Sequence, residues 1–295
     1  MTALQATTPV LPPIARSPGY WSGVVRRVSR DPVAMTALCV IVALILMAVF
    51  ASSIAPADPF KSAMLRRLKP IGTPGFPLGA DELGRDMLSR LIYGARLSLL
   101  MGLTPVPIAF IIGSALGITA GYVGGLTNTL IMRTIDVFYA FPSVLLAVAL
   151  SGALGAGLTN ALVSITLVFI PPIARVAESV TTQVRSLDYI DAARASGAGA
   201  FTIIRVHVLG NVLGPIFVYA TGLVSVSMIL ASGLSFLGLG VRPPEPEWGL
   251  MLNTLRTAIY NQPLVAALPG AMIFITSIAF NVLADGLRAA MDVKS

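Results

Sequence analysis

Long uncharged apolar runs alternate along the chain with shorter segments that carry charges. A helix needs about 20 apolar residues to cross the hydrocarbon core of a membrane, so each run can be divided by that length. The runs are residues 32–57, 97–132, 137–174, 208–241 and 257–284. The third run is interrupted by the sequence GALGAGLTN and holds two helices, while the second ends with the start of the next helix. The pattern therefore predicts an all-α membrane protein with six transmembrane helices.

The composition supports this interpretation. Of the 295 residues, 56% are hydrophobic and 11% are charged, and the mean hydropathy is +0.85. Soluble domains carry about 25% charged residues, so the sequence indicates an integral membrane protein in contact with lipid. The formal net charge is +7, but the basic residues are scattered between the apolar runs. Scattered cations mark helix ends and loops rather than a surface that binds nucleic acid.

The first 33 residues form a polar tail with four arginines, Arg16, Arg26, Arg27 and Arg30. The uncharged run that follows exceeds the roughly 7–15 apolar residues of a secretory signal, so we expect a retained tail rather than a cleaved leader. The single cysteine, Cys39, lies inside that run. No disulfide within the chain is therefore expected.

The basic residues do not fix the orientation in the membrane. If the N-terminus is cytoplasmic, residues 56–96 lie outside, and they hold seven Lys or Arg. The N-terminal tail holds four such residues, and residues 175–205 hold four. Cytoplasmic loops normally carry the excess, so charge alone leaves the topology open.

Residues 188–211, DYIDAARASGAGAFTIIRVHVLGN, are charged and rich in small residues although they lie between two apolar runs. Asp188 can cap a helix by accepting hydrogen bonds from its first amides, and Asp191 favours the positive end of the helix dipole. Gly197 and Gly199 permit a turn, because glycine reaches left-handed backbone angles at little cost. The pattern predicts a helix of about two turns, roughly 12 Å long, that presents small side chains to another protein.

The same residues resemble the EAA motif of binding-protein-dependent ABC importer permeases, which reads Glu-Ala-Ala, three residues, Gly, nine residues, Ile-x-Leu-Pro. Asp191 stands for the glutamate, Ala192 and Ala193 match, and Gly197 has the required spacing. Residues 207–210, His-Val-Leu-Gly, replace Ile-x-Leu-Pro. We expect this last glycine, in place of proline, to loosen the start of the next helix.

Two further stretches resemble the C-type subunit of the dipeptide/oligopeptide/nickel permeases. They are PLGADELGRDMLSRLIYGARLSL at 77–99 and LSFLGLGVRPPEPEWGLML at 234–252. The resemblance implies the type I ABC importer permease fold. It divides the chain after the N-terminal tail into a first transmembrane helix with an external segment (34–94), a transmembrane core domain (95–288) and a C-terminal tail (289–295).

By the same resemblance, residues 188–200 hold the coupling helix, which contacts a cytoplasmic ATPase. The implied contact residues are Asp191, Ala192, Ala193, Gly197 and Ala198. The implied partners are a homologous B-type permease in a heterodimer, two ABC ATPase subunits and an extracytoplasmic solute-binding protein. The ATPases use ATP and Mg, and this chain binds no cofactor. Both termini are then cytoplasmic, in a bacterial inner membrane.

The segment near residue 81 is expected to form an amphipathic helix at the outer interface. Asp81 would cap it, with Leu83 and Met87 on the apolar side and Arg85 and Arg90 on the opposite, polar side. Its expected role is to position the second transmembrane helix, with contact to a solute-binding protein as the alternative.

The sequence VRPPEPEWG, residues 241–249, is expected to form a rigid external loop near the mouth of the pathway. Its prolines cannot continue a regular helix. Glu245 and Glu247 either meet the amino end of a substrate or face water. Trp248 is expected to anchor the loop at the membrane interface.

Arg133 and Asp136 are three residues apart on the third predicted helix, so they can neutralise one another. A carboxylate within a membrane is a functional hypothesis by default. These residues lie near the cytoplasmic end, where long side chains reach water, so we expect a structural ion pair.

Sequence motifs for ATP hydrolysis and metal binding are absent. None of the lysines, Lys61, Lys69 and Lys294, follows a glycine, so the chain has no phosphate-binding loop of the G-x-x-x-x-G-K-[ST] type. It also lacks H-E-x-x-H and a Cys/His cluster, so no metal site is expected. The sequence therefore predicts that the chain is not an enzyme and that separate ATPase subunits supply the energy.

The predicted function is a permease subunit that forms half of the translocation pathway for peptides or peptide-like solutes. A nickel chelate, glutathione or an opine is the alternative cargo. A secondary transporter would bury carboxylates near mid-membrane, and a channel would need a filter or polar pore. These two remain the alternatives from other classes.

Overall fold

The computed structural model describes residues 20–291, so Arg16 and the end of the C-terminal tail lie outside the described residues. Within that range the chain is helical and has no strand, apart from two isolated bridges in residues 73–86. The α-helices are α1 (Tyr20–Val28), α2 (Pro32–Val49), α3 (Ala51–Ile54), α4 (Met87–Leu103), α5 (Pro105–Val123), α6 (Gly125–Tyr139), α7 (Ser143–Leu154), α8 (Leu158–Arg185), α9 (Asp188–Ala195), α10 (Ala200–Ile203), α11 (Leu209–Phe236), α12 (Trp248–Thr254) and α13 (Pro263–Met291). Short 3-10 helices lie at Met64–Arg66 and Arg256–Tyr260, and a π-helix lies at Ile204–Val208.

Five helical segments between residues 20 and 291 are long and apolar enough to cross a membrane. They are α2, the continuous pair α4–α5, α8, the segment from α10 to α11, and α13. The pair α6–α7 gives a sixth span if its two helices are counted together, and these helices are bent by 88° at residues 140–142. The sequence pattern gave no sign of this bend. Pro142 explains the break, because proline disfavours helical backbone angles at the residue before it.

Helices α5 and α8 pack closely along a row of glycines, Gly113, Gly117 and Gly121. A Cβ atom at Gly121 would lie 2.7 Å from the carbonyl oxygen of Glu178, and one at Gly117 would overlap the carbonyl oxygen of Ala174. Small residues four apart allow the backbones of two membrane helices to approach this closely. The contact fixes α8 against the span that precedes the bent pair.

The core lies between the helices, while large apolar side chains also cover the outside. The largest buried cluster joins residues of α5, α8 and α11, and a second cluster joins α2, α4, α12 and α13. On the outer faces, Ile111, Leu264 and Phe274 are each at least 66% exposed. Such exposure is costly in water and suits a protein whose outer face contacts lipid.

The segment before α4 differs from the expected amphipathic helix. Asp86, not Asp81, caps α4, and its carboxylate accepts a hydrogen bond from the amide of Ser89 at 2.8 Å. Asp81 is buried and accepts from Nε of Arg85 at 2.6 Å, and Nε of Arg90 lies 3.1 Å from the same carboxylate oxygen. The charged side therefore faces the protein interior, because the ion pairs neutralise it there.

Candidate functional site

Helix α9 stands between the end of α8 and the start of α10. Leu187 is its N-cap residue and makes no side-chain capping bond, so the expected cap by Asp188 is wrong. Asp188 and Asp191 lie in the first turn, where negative charge favours the helix dipole. Ile190 is fully buried and belongs to the same core cluster as residues of α8 and α11. This side chain fixes the short helix to the ends of the long ones.

The end of α9 forms a tight, hydrogen-bonded turn. Gly197 has φ +82°, in the left-handed region that favours glycine. Its amide donates to the carbonyl of Arg194 at 2.9 Å, and the amide of Ala198 donates to the carbonyl of Ala193 at 3.1 Å. These two bonds make a Schellman motif, which satisfies carbonyls that the last turn would leave free. The turn that the sequence predicts at Gly197 is therefore confirmed.

The five residues predicted to contact a partner divide into two groups. Asp191, Ala192 and Gly197 are exposed, whereas Ala193 and Ala198 are partly buried and pack against the main core cluster. The free surface of α9 is therefore smaller than the motif suggests. The two partly buried alanines do not form part of that surface and instead hold α9 against the core.

An ion pair lies on the exposed side of α9. Asp191 pairs with Arg194 at 3.1 Å, and the guanidinium carbon of Arg194 lies 5.7 Å from the ring centroid of Tyr122, at the end of α5. Through this contact Arg194 joins α9 to a third long helix. Because the Asp191 carboxylate is largely exposed, the pair itself adds little stability.

The start of α11 has a π-helical turn rather than a break. Residues 204–208 form the π-helix within a continuous segment from α10 to α11. Asn211 donates to the carbonyl of His207 at 2.7 Å and to the hydroxyl of Tyr189 at 3.2 Å. The amide side chain therefore ties this turn to α9, just beyond Gly210, where the sequence departs from the motif.

A cavity of about 320 Å³ lies at the bend between α6 and α7. Its wall is mainly aromatic and aliphatic and comes from α6, α7, α8 and α11, with Tyr139, Phe141, Phe169 and Tyr219 among its lining residues. α8 also contributes consecutive prolines, Pro171–Pro172, to the wall. A cavity lined by four helices can accommodate a small solute with an apolar part.

The carboxylate of Asp136 pairs with Arg175 on α8, not with Arg133 as expected. Arg133 forms no ion pair with another described residue. The guanidinium carbon of Arg175 also lies 5.3 Å from the ring centroid of Tyr139, which lines the cavity. Arg175 is ten residues before the end of α8, or about 15 Å along it, and it is the first charged residue after the uncharged run 137–174.

The loop at residues 241–249 is anchored by residues that were expected at its surface. Glu247 is buried and caps α12, accepting hydrogen bonds from the amides of Gly249 and Leu250, both at 2.8 Å. Trp248 is 0% exposed, and its Nε1 donates to the carbonyl of Leu91 at 3.0 Å. Neither residue can meet water or lipid, so both expectations are wrong. Glu245 is partly exposed.

Burial raises the pKa of Glu247 above its usual value, although the two amide bonds act in the opposite direction. The hydroxyl of Ser98 donates to Glu247 at 3.2 Å and accepts from the amide of Trp248 at 3.0 Å. Because Ser98 lies on α4, this network joins the loop to the second span. The carboxylate of Glu247 therefore has a structural role.

Comparison with known proteins decides the family. The family described as "Binding-protein-dependent transport system inner membrane component" matches residues 113–294, more than half of the chain. The chain belongs to this family. A second family, the N-terminal TM domain of oligopeptide transport permease C, matches residues 19–70.

Relatives and a solved structure agree with this membership. The chain is 40% identical over 293 residues to the glutathione transport system permease protein GsiD of Pectobacterium atrosepticum, covering 99% of this chain and 97% of that one. It is 42% identical over 266 residues to the di/tripeptide transport system permease protein DppC of Pseudomonas aeruginosa, covering 88% of each. A structure of inward-facing conformations of the MetNI methionine ABC transporter aligns with TM-score 0.56 at 20% identity, covering 69% of this chain and 97% of that chain. This last likeness concerns the fold alone.

The protein is thus the permease component of a binding-protein-dependent ABC importer, with the type I fold that the sequence predicts. It is a multi-pass inner-membrane protein and a transporter subunit rather than an enzyme. ATP is used by separate ATPase subunits. Membership decides against the secondary transporter and the channel that the sequence left as alternatives.

Two features were not predicted from the sequence. They are the row of glycines at Gly113, Gly117 and Gly121 and the pairing of Arg175. The glycines have a visible signal, since small residues repeat every four positions within an apolar run. Arg175 directly follows the uncharged run 137–174, and nothing in the sequence indicates its partner. Only the bend and the packing of α6 on α8 show that it meets Asp136.

Proposed function

We propose that this chain forms half of the translocation pathway of an ATP-driven importer for small peptides, including glutathione-like peptides. A homologous B-type permease supplies the other half, two ATPases bind at the cytoplasmic side, and an extracytoplasmic protein delivers the solute. Both termini are cytoplasmic, and residues 56–96 and 239–262 lie outside. Residues 34–94 form the first unit and residues 95–288 the core domain.

The geometry of α9 carries this proposal. The helix projects exposed Asp191 and Ala192 beside a glycine turn, while Ile190 joins it to the core cluster shared by α8 and α11. A short helix with small exposed side chains can dock in a groove of a partner, and its buried anchor passes a displacement to the spans. We therefore assign α9 as the contact with the ATPase.

A cross-linking experiment tests the contact and the topology together. Cys39 is first replaced by serine, since it is the single cysteine of the chain and is exposed. In that background, Ser196→Cys is expected to cross-link to an ATPase subunit, whereas the exposed external site Ser62→Cys is not. Ser62→Cys is expected to react with an impermeant thiol reagent from outside the cell. Reaction of Ser62→Cys from the cytoplasmic side alone would contradict the topology.

The substrate class rests on the relatives and on the cavity. The two relatives named above are permeases of glutathione and di/tripeptide systems. The cavity at the bend is aromatic and borders the Asp136–Arg175 pair, which offers one charge of each sign to a zwitterionic peptide. A binding screen of the cognate solute-binding protein, followed by uptake of the labelled ligand, tests this assignment. Binding of a nickel chelate or an opine, with no peptide bound, would refute it.

A further inference from the structure

Helix α1 is fixed to one end of the bundle by its apolar side. Val24 and Val28 are buried and form a small core cluster with Ala34 of α2 and Ala290 of α13. Val25, on another side of α1, is 67% exposed. This short helix therefore lies against the ends of two spans that the membrane surrounds, with one side free.

Three arginines are concentrated on and just after the exposed side of α1. Arg26, Arg27 and Arg30 are exposed, and none forms an ion pair with another described residue. Two carboxylates at this end of the bundle, Asp31 and Asp285, already have partners. Asp31 accepts hydrogen bonds from the amides at the start of α2, and Asp285 of α13 pairs with Arg288 at 3.5 Å. This end of the bundle therefore keeps an unbalanced positive charge.

An apolar groove of about 500 Å³ begins two residues after Arg30. It follows α2 from Pro32 to Val40 and α13 from Phe274 to Val282, which is about 12 Å along each helix. Thr36 is the single polar residue among its lining residues, and its hydroxyl is occupied because it donates to the carbonyl of Pro32 at 2.7 Å. The groove thus offers an apolar path along the spans with cations at its end.

We propose that this end of the protein is a binding site for an anionic phospholipid. The headgroup phosphate contacts Arg26, Arg27 and Arg30, and an acyl chain lies in the groove between α2 and α13. Guanidinium groups suit phosphate oxygens because their donors form paired, charge-assisted hydrogen bonds. Basic residues beside a transmembrane helix attract anionic lipids, whereas a zwitterionic lipid lacks the net charge. Charge complementarity with a continuous apolar path favours lipid over a helix of the partner permease.

The test uses the full chain with its partner permease in phosphatidylcholine nanodiscs that contain spin-labelled phosphatidylglycerol. The triple variant Arg26→Ala/Arg27→Ala/Arg30→Ala is expected to weaken association of the probe about fivefold per arginine removed. The matched control is Arg66→Ala/Arg67→Ala/Lys69→Ala, which removes three exposed cations from the segment before α4. The control is expected to leave association unchanged. Equal losses in the two triple variants would show general surface charge rather than a site.

A groove variant separates the two halves of the proposal. Thr36→Trp fills the groove at an exposed position and keeps all three arginines. It is expected to weaken binding of phosphatidylglycerol while the chain still co-purifies with its partner permease. If Thr36→Trp instead releases the partner permease and leaves lipid association unchanged, the groove holds a partner helix and the proposal is wrong. Unchanged lipid association in the arginine triple variant would also overturn it.

Discussion

Replacing Gly197 by valine perturbs the proposed ATPase contact at a single, well-defined position. A Cβ atom there meets no atom within 4 Å in this chain, so the substitution creates no clash within the permease. The backbone, however, has φ +82°, which costs a side-chain-bearing residue about 1–2 kcal/mol. In the free chain the end of α9 can relax to relieve this strain, and docking has to restore the turn.

The expected effect on docking follows from two contributions. The backbone strain adds about 1–2 kcal/mol, and the extra volume at a close contact adds about 1–3 kcal/mol. At about 1.4 kcal/mol per tenfold change, ATPase affinity should fall by one and a half to three and a half orders of magnitude. Membrane insertion and pairing with the partner permease should remain normal. Co-purification of the ATPases and uptake of substrate measure the loss.

Two matched variants separate strain from general disturbance of the segment. Gly199 also has open space around a Cβ atom, but its φ is −68°, which any residue adopts. Gly199→Val should therefore add no backbone strain, and any loss of docking should come only from the added side-chain volume. Asp191→Asn should weaken docking less than Gly197→Val, because it removes a dipole interaction of about 0.3–1 kcal/mol. If Gly197→Val retains both ATPase recruitment and uptake at normal levels, residues 188–211 are not the coupling contact.

Three further outcomes are expected. Gly117→Leu should destabilise the chain by more than about 3 kcal/mol, because a backbone carbonyl oxygen occupies the space that the new side chain needs. Gly152→Leu is the control, since a Cβ atom there meets open space, and it should leave stability unchanged. Thermal unfolding in detergent measures both. The pKa of Glu247 is raised on folding, so the folded state binds more protons than the unfolded state. The free energy of unfolding should therefore fall as pH rises from about 4 through the raised pKa. In Glu247→Gln this pH dependence should disappear. Arg175→Gln should lower uptake because it breaks the ion pair with Asp136. The exchange Asp136→Arg/Arg175→Asp restores a pair of opposite charges and should recover part of the uptake. If it recovers none, each charge is needed at its own position and the pairing alone does not explain the loss.

The number of spans and the position of α9 were predictable, because both depend on local pattern. An uncharged apolar run that is long enough to cross the membrane indicates a helix, whichever helices are its neighbours. The turn at Gly197 follows from small residues and a glycine at the end of a short helix. These features need no knowledge of which helices are neighbours.

The wrong predictions of side-chain partners and burial have a common physical cause. Asp136, Glu247 and Trp248 were assigned by their types and their neighbours in sequence, while the structure pairs each with a residue on a distant segment. Trp248 donates to the carbonyl of Leu91, 157 positions earlier in the chain. A tryptophan or carboxylate that finds such a partner can be buried, whereas without one it would stay at the interface.

The arrangement of buried contacts indicates how a movement of α9 could reach the cavity. Ile190 packs in one cluster with Phe169 of α8 and Ile216 of α11, and α8 and α11 both line the cavity at the bend. Close-packed cores deform little, so a displacement of α9 has to move these two helices together or break the cluster. The α8 helix in turn contacts α6, which precedes the bend, through two polar contacts, one of them the ion pair of Arg175 with Asp136. The ion pair is therefore one point at which such a movement would change the shape of the cavity, since it joins α8, which packs with α9, to the helix that leads into the bend.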